Sequence, residues 1–297
     1  MNELRKAVKS GEIRPKRSLG QNFLTDRAVA ERIVEAVGLT RADHVVEVGP
    51  GLCALTELLC ESAGFVTAVE IDRHLVPKIS EIMARYDNFR LIHADILKLA
   101  PEELTFPKKA DGAAGDFLPE SPSAFFGGRA KLVSNLPYYI STPVMMRFFE
   151  EGFRVSRLVF MMQKEVADRL VALPSTKAYG ALTVAANFYA KPAKLFTVPP
   201  HCFVPQPDVE SAVVALETYE TPPVEVRDTA LFFRVVRAAF AQRRKTLENC
   251  LIHAGLLPPE RARAAAILDG AGVPRGARGE TLDLPAFAAL ANVIGAG

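Results

Sequence analysis

His44-Val45-Val46-Glu47-Val48-Gly49-Pro50-Gly51-Leu52-Cys53-Ala54 is the stretch that decides the fold. Its first five residues read as a buried strand. They run into a turn spaced G-x-G-x-x-A, and Leu55, Leu58 and Leu59 then follow at helical spacing. Strand, glycine turn and helix in that order are the context a nucleotide-binding fingerprint requires, because the glycines let a ligand approach the backbone closely. Glycines shape tight turns for many reasons, so the turn alone is a weak signal. Phe65 to Val69 reads as a second strand, ending at Glu70 and Asp72. Glu70 stands 19 residues beyond Gly51, where a strand-end acid can accept from both hydroxyls of a ribose. Turn and acid together predict an α/β, Rossmann-like sheet with a site for an adenosine-containing cofactor.

Glu47 narrows the choice of cofactor. A carboxylate two residues before the first glycine repels a pyrophosphate but suits a ligand carrying an ammonium group, which favours S-adenosylmethionine over a dinucleotide. Phe89 to His93 reads as a third strand ending at Ala94-Asp95. Asp95 either accepts from an adenine amino group or simply caps the next turn.

Lys131-Leu132-Val133-Ser134 reads as a further buried strand, and Asn135-Leu136-Pro137-Tyr138 follows it ahead of a helical pattern opening at Ser141. Open α/β sheets hold their ligands at such carboxyl ends. Asn135 offers a side-chain carbonyl, the Leu136-Pro137 peptide offers another, and Tyr138 offers a flat face. Two acceptors beside a stacking surface can receive an exocyclic amino group on a flat base. As an isolated tetrapeptide it is also an ordinary turn. Leu158 to Met162 reads as a fifth strand, followed by helices at about 163–172 and 179–190 and strands at 193–198 and 209–216. Val198 to Pro207 holds four prolines in ten residues, which excludes helix and stiffens the loop. Phe203 there is either a core residue or a second aromatic face opposite Tyr138.

The flanks are organised differently. Residues 1–17 carry Arg5, Lys6, Lys9, Arg14, Lys16 and Arg17 against Glu3 and Glu12, a solvated end or an arm that touches phosphates. Thr25 or Asp26 can cap a helix containing Val29, Ile33, Val34 and Val37 and ending at Gly38. Residues 106–130 are rich in Pro, Gly and Ala without periodicity, and read as a surface insertion. Thr221-Pro222-Pro223 reads as a linker. Beyond it, Leu231 to Leu251 has helical spacing and carries Arg234, Arg237, Arg243, Arg244 and Lys245, with no acid between Leu231 and Lys245. Such a one-signed helix is either solvated surface or a phosphate-binding face. Short helical patterns close the chain at about 258–269 and 284–293. The expected domains are 1–218, binding the cofactor, and 224–297, helical and RNA-binding.

Composition sets outer bounds. The 297 residues are 49% apolar and 24% charged, with net charge +2, which is ordinary for a core-forming protein and neither suggests nor excludes a nucleic-acid partner. The first 17 residues lack the apolar centre of a signal peptide, and no window is apolar enough to span a membrane. Cys53, Cys60, Cys202 and Cys250 lie far apart. That argues against a zinc site or disulfide framework and suits a reducing cytoplasm. No metal is expected.

Four segments, Lys16 to Leu24, Glu47 to Gly51, Asn135-Leu136-Pro137-Tyr138-Tyr139-Ile140-Ser141 and Ala239 to Leu247, resemble the ribosomal RNA adenine dimethyltransferases, in that family's order and over almost the whole chain. The nearest branch is the bacterial one that dimethylates two adjacent adenines near the 3′ end of small-subunit (16S) ribosomal RNA. The resemblance implies that Asn22, Leu24, Gly49, Glu70, Asp95 and Asn135 form the S-adenosylmethionine site. It also implies a seven-stranded methyltransferase sheet followed by a small helical domain. Two features depart from the pattern: Cys53 stands where the family often carries a small residue, and the 106–130 stretch is longer than usual. The implied partner is the assembling small subunit, and a monomer is expected, with oligomeric state open. The competing readings are a large-subunit adenine methyltransferase of the antibiotic-resistance type, a DNA adenine methyltransferase, and a ribosome-assembly or transcription factor that kept the fold without catalysis.

Overall fold

The computed structural model describes residues 15–16, 19–104 and 130–296. The chain divides into two compact units, Met1–Ala167 with Ala193–Thr218, and Asp168–Pro192 with Tyr219–Gly297. The basic tail lies outside the described residues apart from Pro15 and Lys16, and so does the 106–130 insertion apart from Ala130.

The first unit is built on β2 (His44–Val48), β3 (Phe65–Glu70), β4 (Phe89–His93), β5 (Ala130–Asn135), β6 (Val155–Gln163), β7 (Ala190–Val198) and β9 (Ser211–Thr218). They form one seven-stranded sheet in the order β4-β3-β2-β5-β6-β9-β7. Pairing is parallel from β4 through β6 and antiparallel between β6 and β9. Strands β2 and β3 are buried along their whole length, which is why they read as unbroken apolar runs rather than alternating ones.

Register places the chemistry. Glu47 pairs with Ala68 on one side and Val133 on the other. Side chains alternate between faces with period two, so Glu47, Glu70 (two beyond Ala68) and Asn135 (two beyond Val133) share one sheet face. The same face carries Val45, Val66, Val133, Val159 and Val213 into the core. That core is covered by α1 (Arg27–Val37), α2 (Thr56–Ser62) and α3 (Val76–Met83) through residues such as Ile33, Leu59 and Ile79. Helix α1 starts and stops as expected: Asp26 Oδ1 accepts from Val29 N at 3.1 Å, and Gly38 closes it at φ 65°.

Helix α4 (Tyr138–Glu150) opens three residues earlier than Ser141, immediately after Pro137. A two-stranded ribbon of β1 (Phe23–Leu24) and β8 (Phe203–Val204) pairs Phe23 with Val204 and Leu24 with Phe203. Two-residue strands carry no periodicity, so nothing in the sequence pattern announces this pairing.

The second unit contains α6 (Ala181–Tyr189), α7 (Thr229–Ala241), α8 (Leu247–His253), α9 (Arg261–Gly270) and α10 (Leu284–Ile294), while α5 (Lys164–Leu170) straddles the division. The expected 1–218 domain needs one correction: 168–192 joins the helices. The reason is aromatic packing, since Phe188 of α6 stacks on Phe232 of α7 with ring centroids 5.0 Å apart. The single helix expected over 231–251 is also corrected. Helix α7 ends at Ala241, and Thr246 caps a separate α8 by accepting from Asn249 N. Arg243, Arg244 and Lys245 therefore sit in the connecting turn, while Arg234 and Arg237 remain on the exposed face of α7.

Candidate active site

The strand order reverses at β2, and open sheets bind ligands beside such a switch point. A solvent-open cleft lies there, lined by Asn22, Leu24, Glu47, Gly49, Gly51, Glu70, Asp95, Asn135, Leu136, Tyr138 and Phe203. Every residue expected in the cofactor site or beside the reacting base thus lies on one cavity of the first unit.

The glycine turn is where steric demand is clearest. Gly49 has φ 74°, and a Cβ there would lie 3.0 Å from Leu136 Cδ2. Gly51 has φ 56°, and a Cβ there would lie 3.2 Å from the Phe23 ring. The turn is wedged between the Asn-Leu-Pro-Tyr segment and β1, so three separate motifs meet over a backbone that tolerates no side chain. Cys53 adopts the same left-handed conformation, φ 61°, without being glycine, a strained choice for a residue with a Cβ. Its thiol is buried, and that burial pushes its pKa far up, so it is no nucleophile.

Glu70 is 4% exposed and its two oxygens are divided: Oε2 accepts from Gly51 N at 3.3 Å and Oε1 from Asp72 N at 2.8 Å. Burial raises its pKa, against the pull of those backbone amides. Each oxygen keeps acceptor capacity for a ligand hydroxyl. Glu47 is 1% exposed, burial pushes its carboxyl up to about 8, and its Oε2 has no hydrogen-bond partner among the described residues. Asp95 does cap the next turn, accepting from Leu97 N at 3.0 Å, and its other oxygen lies 3.7 Å from Lys98 Nζ.

Asn135 ends β5 half-buried. Tyr138 is half-buried, and its hydroxyl is 2.7 Å from Ser211 Oγ, which fixes the ring edge. Phe203 is a core residue, 1% exposed, whose ring also lines the cleft. Sequence reasoning missed several lining residues. Ile71 and Ile96 each follow a strand-end acid by one position, and Ile71 is 50% exposed. An exposed isoleucine directly after such an acid was the available signal. Gln21, Leu75 and Tyr139 also line the cleft.

In the second unit, Arg234, Arg237, Arg243, Arg244 and Lys245 are all exposed. Arg243 is engaged within that unit, donating to Thr176 O, to Lys177 O at 2.6 Å and to Glu280 Oε2 at 3.1 Å. Among the described residues, no helix is long and apolar enough to cross a membrane, and no cluster of three or more His, Cys, Asp or Glu is set to hold a metal.

Comparison with known proteins agrees with this geometry. A dimethyladenosine transferase from Plasmodium falciparum superposes with a TM-score of 0.71 at 22% identity, covering 90% of this chain and 95% of its own. The 23S rRNA methyltransferase ErmE does so with a TM-score of 0.66 at 24% identity, covering 92% and 100%. At such identities the likeness speaks for fold alone: this is a Rossmann-like, class I methyltransferase sheet. In sequence, proteins named Ribosomal RNA small subunit methyltransferase A are far closer. That of Listeria monocytogenes is 42% identical over 283 residues, 94% of this chain and 90% of its own. That of Clostridioides difficile is 39% identical over 293 residues, 99% and 95%. The ribosomal RNA adenine dimethylase family model matches residues 13–289, and the chain belongs to that family.

Proposed function

We propose that this chain dimethylates the N6 amines of two adjacent adenines near the 3′ end of 16S ribosomal RNA in the small ribosomal subunit, using S-adenosylmethionine. The observation that carries this reading is the placement of Asn135 and Leu136 on the same cleft as the glycine turn and Glu70. The names of the relatives, at about 42% identity over 94% of the chain, favour the small-subunit target over the large-subunit and DNA alternatives. They equally disfavour a non-catalytic factor.

The cleft fits the cofactor. Glu47 Oε2 takes no hydrogen bond among the described residues and has lone pairs for the N–H donors of an ammonium group, Gly49 keeps clear the space a Cβ would fill, and Glu70 has lone pairs for ribose hydroxyls. S-adenosylmethionine, when bound, supplies an electrophilic methyl group on a sulfonium. Everything else falls to the protein. An adenine amino nitrogen is a poor nucleophile because its lone pair is delocalised into the ring. The Asn135 side-chain oxygen and the Leu136 carbonyl accept its two hydrogens, pyramidalise it and stabilise positive charge as it develops. This is oxyanion-hole logic with the sign reversed. Holding the amine in line is worth about 7–11 kcal/mol in favourable cases. Tyr138, its ring edge tied to Ser211, stacks on the flipped base, and Phe203 backs the cleft from the core. The methylated nitrogen sheds one proton to solvent through the open cleft, so a single hydrogen remains after one transfer and one of the two acceptors then faces a methyl group. The exposed cations of the second unit hold RNA phosphates. Such a substrate places the work in the cytoplasm.

The test is transfer of labelled methyl groups to unmethylated small subunits, with the modified bases mapped. The expected product is dimethyladenine at two neighbouring positions. Transfer to large-subunit RNA instead, or to neither, overturns the reading.

A further inference from the structure

We propose that Asp72 is a positioning residue, a latch that holds Lys16 and the stretch Leu19–Asn22 at the cofactor cleft and so slows cofactor escape. The inference rests on the S-adenosylmethionine reading above.

Asp72 lies two residues beyond Glu70 and is 4% exposed. A buried carboxylate is costly unless its oxygens are engaged, and what engages these is specific. Oδ1 accepts from Lys16 Nζ at 2.6 Å and from His74 N at 3.0 Å, and Oδ2 accepts from Gln21 Nε2 at 3.1 Å. Gln21 Oε1 in turn accepts from Lys16 N at 2.8 Å. Lys16, Gln21 and Asp72 therefore form a closed triangle between groups more than 50 positions apart in sequence. Burial alone would raise the Asp72 pKa, but the Lys16 ammonium and the His74 and Gln21 hydrogen bonds hold it low, so the latch stays charged.

The latch acts on the cleft rather than on the core. Leu19, Gly20, Gln21 and Asn22 all line the cavity, and none of the four belongs to the buried apolar cluster. A Cβ on Gly20, at φ 60°, would lie 3.2 Å from Pro137 Cβ, so the segment also lies tight against the Asn-Leu-Pro-Tyr turn. Its downstream end is fixed separately, by β1 pairing with β8, and among the described residues Asp72 is the long-range tie at its upstream end. Asp72 N also donates to Glu70 Oε1 at 2.8 Å. The same short turn thus carries both the ribose acceptor and the latch.

Asp72→Asn keeps size and one acceptor but loses the charge. It is expected to raise the S-adenosylmethionine Kd about tenfold, through faster dissociation with association within twofold of wild type. In cofactor-free protein it should speed amide exchange across 19–22 while leaving β1 and the sheet protected. Lys16→Met and Gln21→Leu should act in the same direction, each more weakly. Lys16→Met added to Asp72→Asn should cost nothing further. An unchanged dissociation rate in Asp72→Asn overturns the latch, as does loss of protection spread over the whole sheet, which would make Asp72 a fold clamp. Failure of the wild-type protein to bind S-adenosylmethionine would instead strike the cofactor reading itself.

Discussion

Glu47 occupies the middle of a strand with no exposure to speak of, and its carboxyl is held near 8 by burial, with Glu70 close by adding to the effect. A group whose folded pKa lies above its ordinary value of 4.5 keeps its proton in the native state where the unfolded chain has lost it. Stability is therefore fully present below about 4.5 and falls as pH rises towards about 8, by at most about 1.4 kcal/mol per pH unit. His44 acts at the other end. Burial and nearby Arg90 depress it to about 4, so its contribution is lost as pH falls from 6.5 to that value. Urea unfolding of wild type and Glu47→Gln at pH 5 and pH 8 separates the two effects. The variant should gain relative to wild type as pH rises, and parallel profiles would show that Glu47 is ionised in the native protein. Glu47 as a site residue was legible because a carboxylate before a glycine turn is chemically odd. Its protonation was not legible, because that depends on both neighbouring strands.

At the scale of elements, the broken α7–α8 helix shows what periodicity cannot detect. Phe240 and Leu247 are seven residues apart, so the apolar phase runs on through the turn and suggests one helix. The break was marked by Thr246, a capping residue inside an apparent helix. Thr246→Ala should cost about 1 kcal/mol in chemical unfolding. Gly279→Ala should cost about 1–3 kcal/mol, because a Cβ there would lie 2.6 Å from Ala239 O in α7. A neutral outcome at Gly279 would mean that α7 has room to move. The basic cluster also divides by role. Charge reversal at Arg244 or Lys245 should weaken RNA binding and lower the salt slope by about one unit for each phosphate no longer neutralised, with thermal stability unchanged. Charge reversal at Arg243 should lower thermal stability as well, because its guanidinium ties Thr176, Lys177 and Glu280 together. Equal melting temperatures for all three variants would contradict that division.

For the molecule as a whole, the sheet was legible because β2, β3, β4 and β5 read as short apolar runs that end in chemistry-bearing residues. What was not legible is long-range. The assignment of 168–192 to the helical unit depends on Phe188 meeting Phe232 and Phe233, rings carried by residues more than 40 positions apart. The β1–β8 pairing joins Phe23 to Val204 and Leu24 to Phe203, far apart in the chain, through two residues on each side. The chemistry-bearing residues of the cleft could be named from its motifs, yet its closeness to the N-terminal segment through Asp72 emerged only with the fold. The decisive experiment is single-turnover methyl transfer by Asn135→Ala on unmethylated small subunits, with RNA binding measured alongside. Transfer should fall by at least two to three orders of magnitude, roughly the usual scale for losing one preorganised charge-stabilising group, while RNA affinity stays within a few-fold of wild type. Transfer at the wild-type rate would contradict the role given to Asn135 and, with it, the chemistry proposed for the cleft.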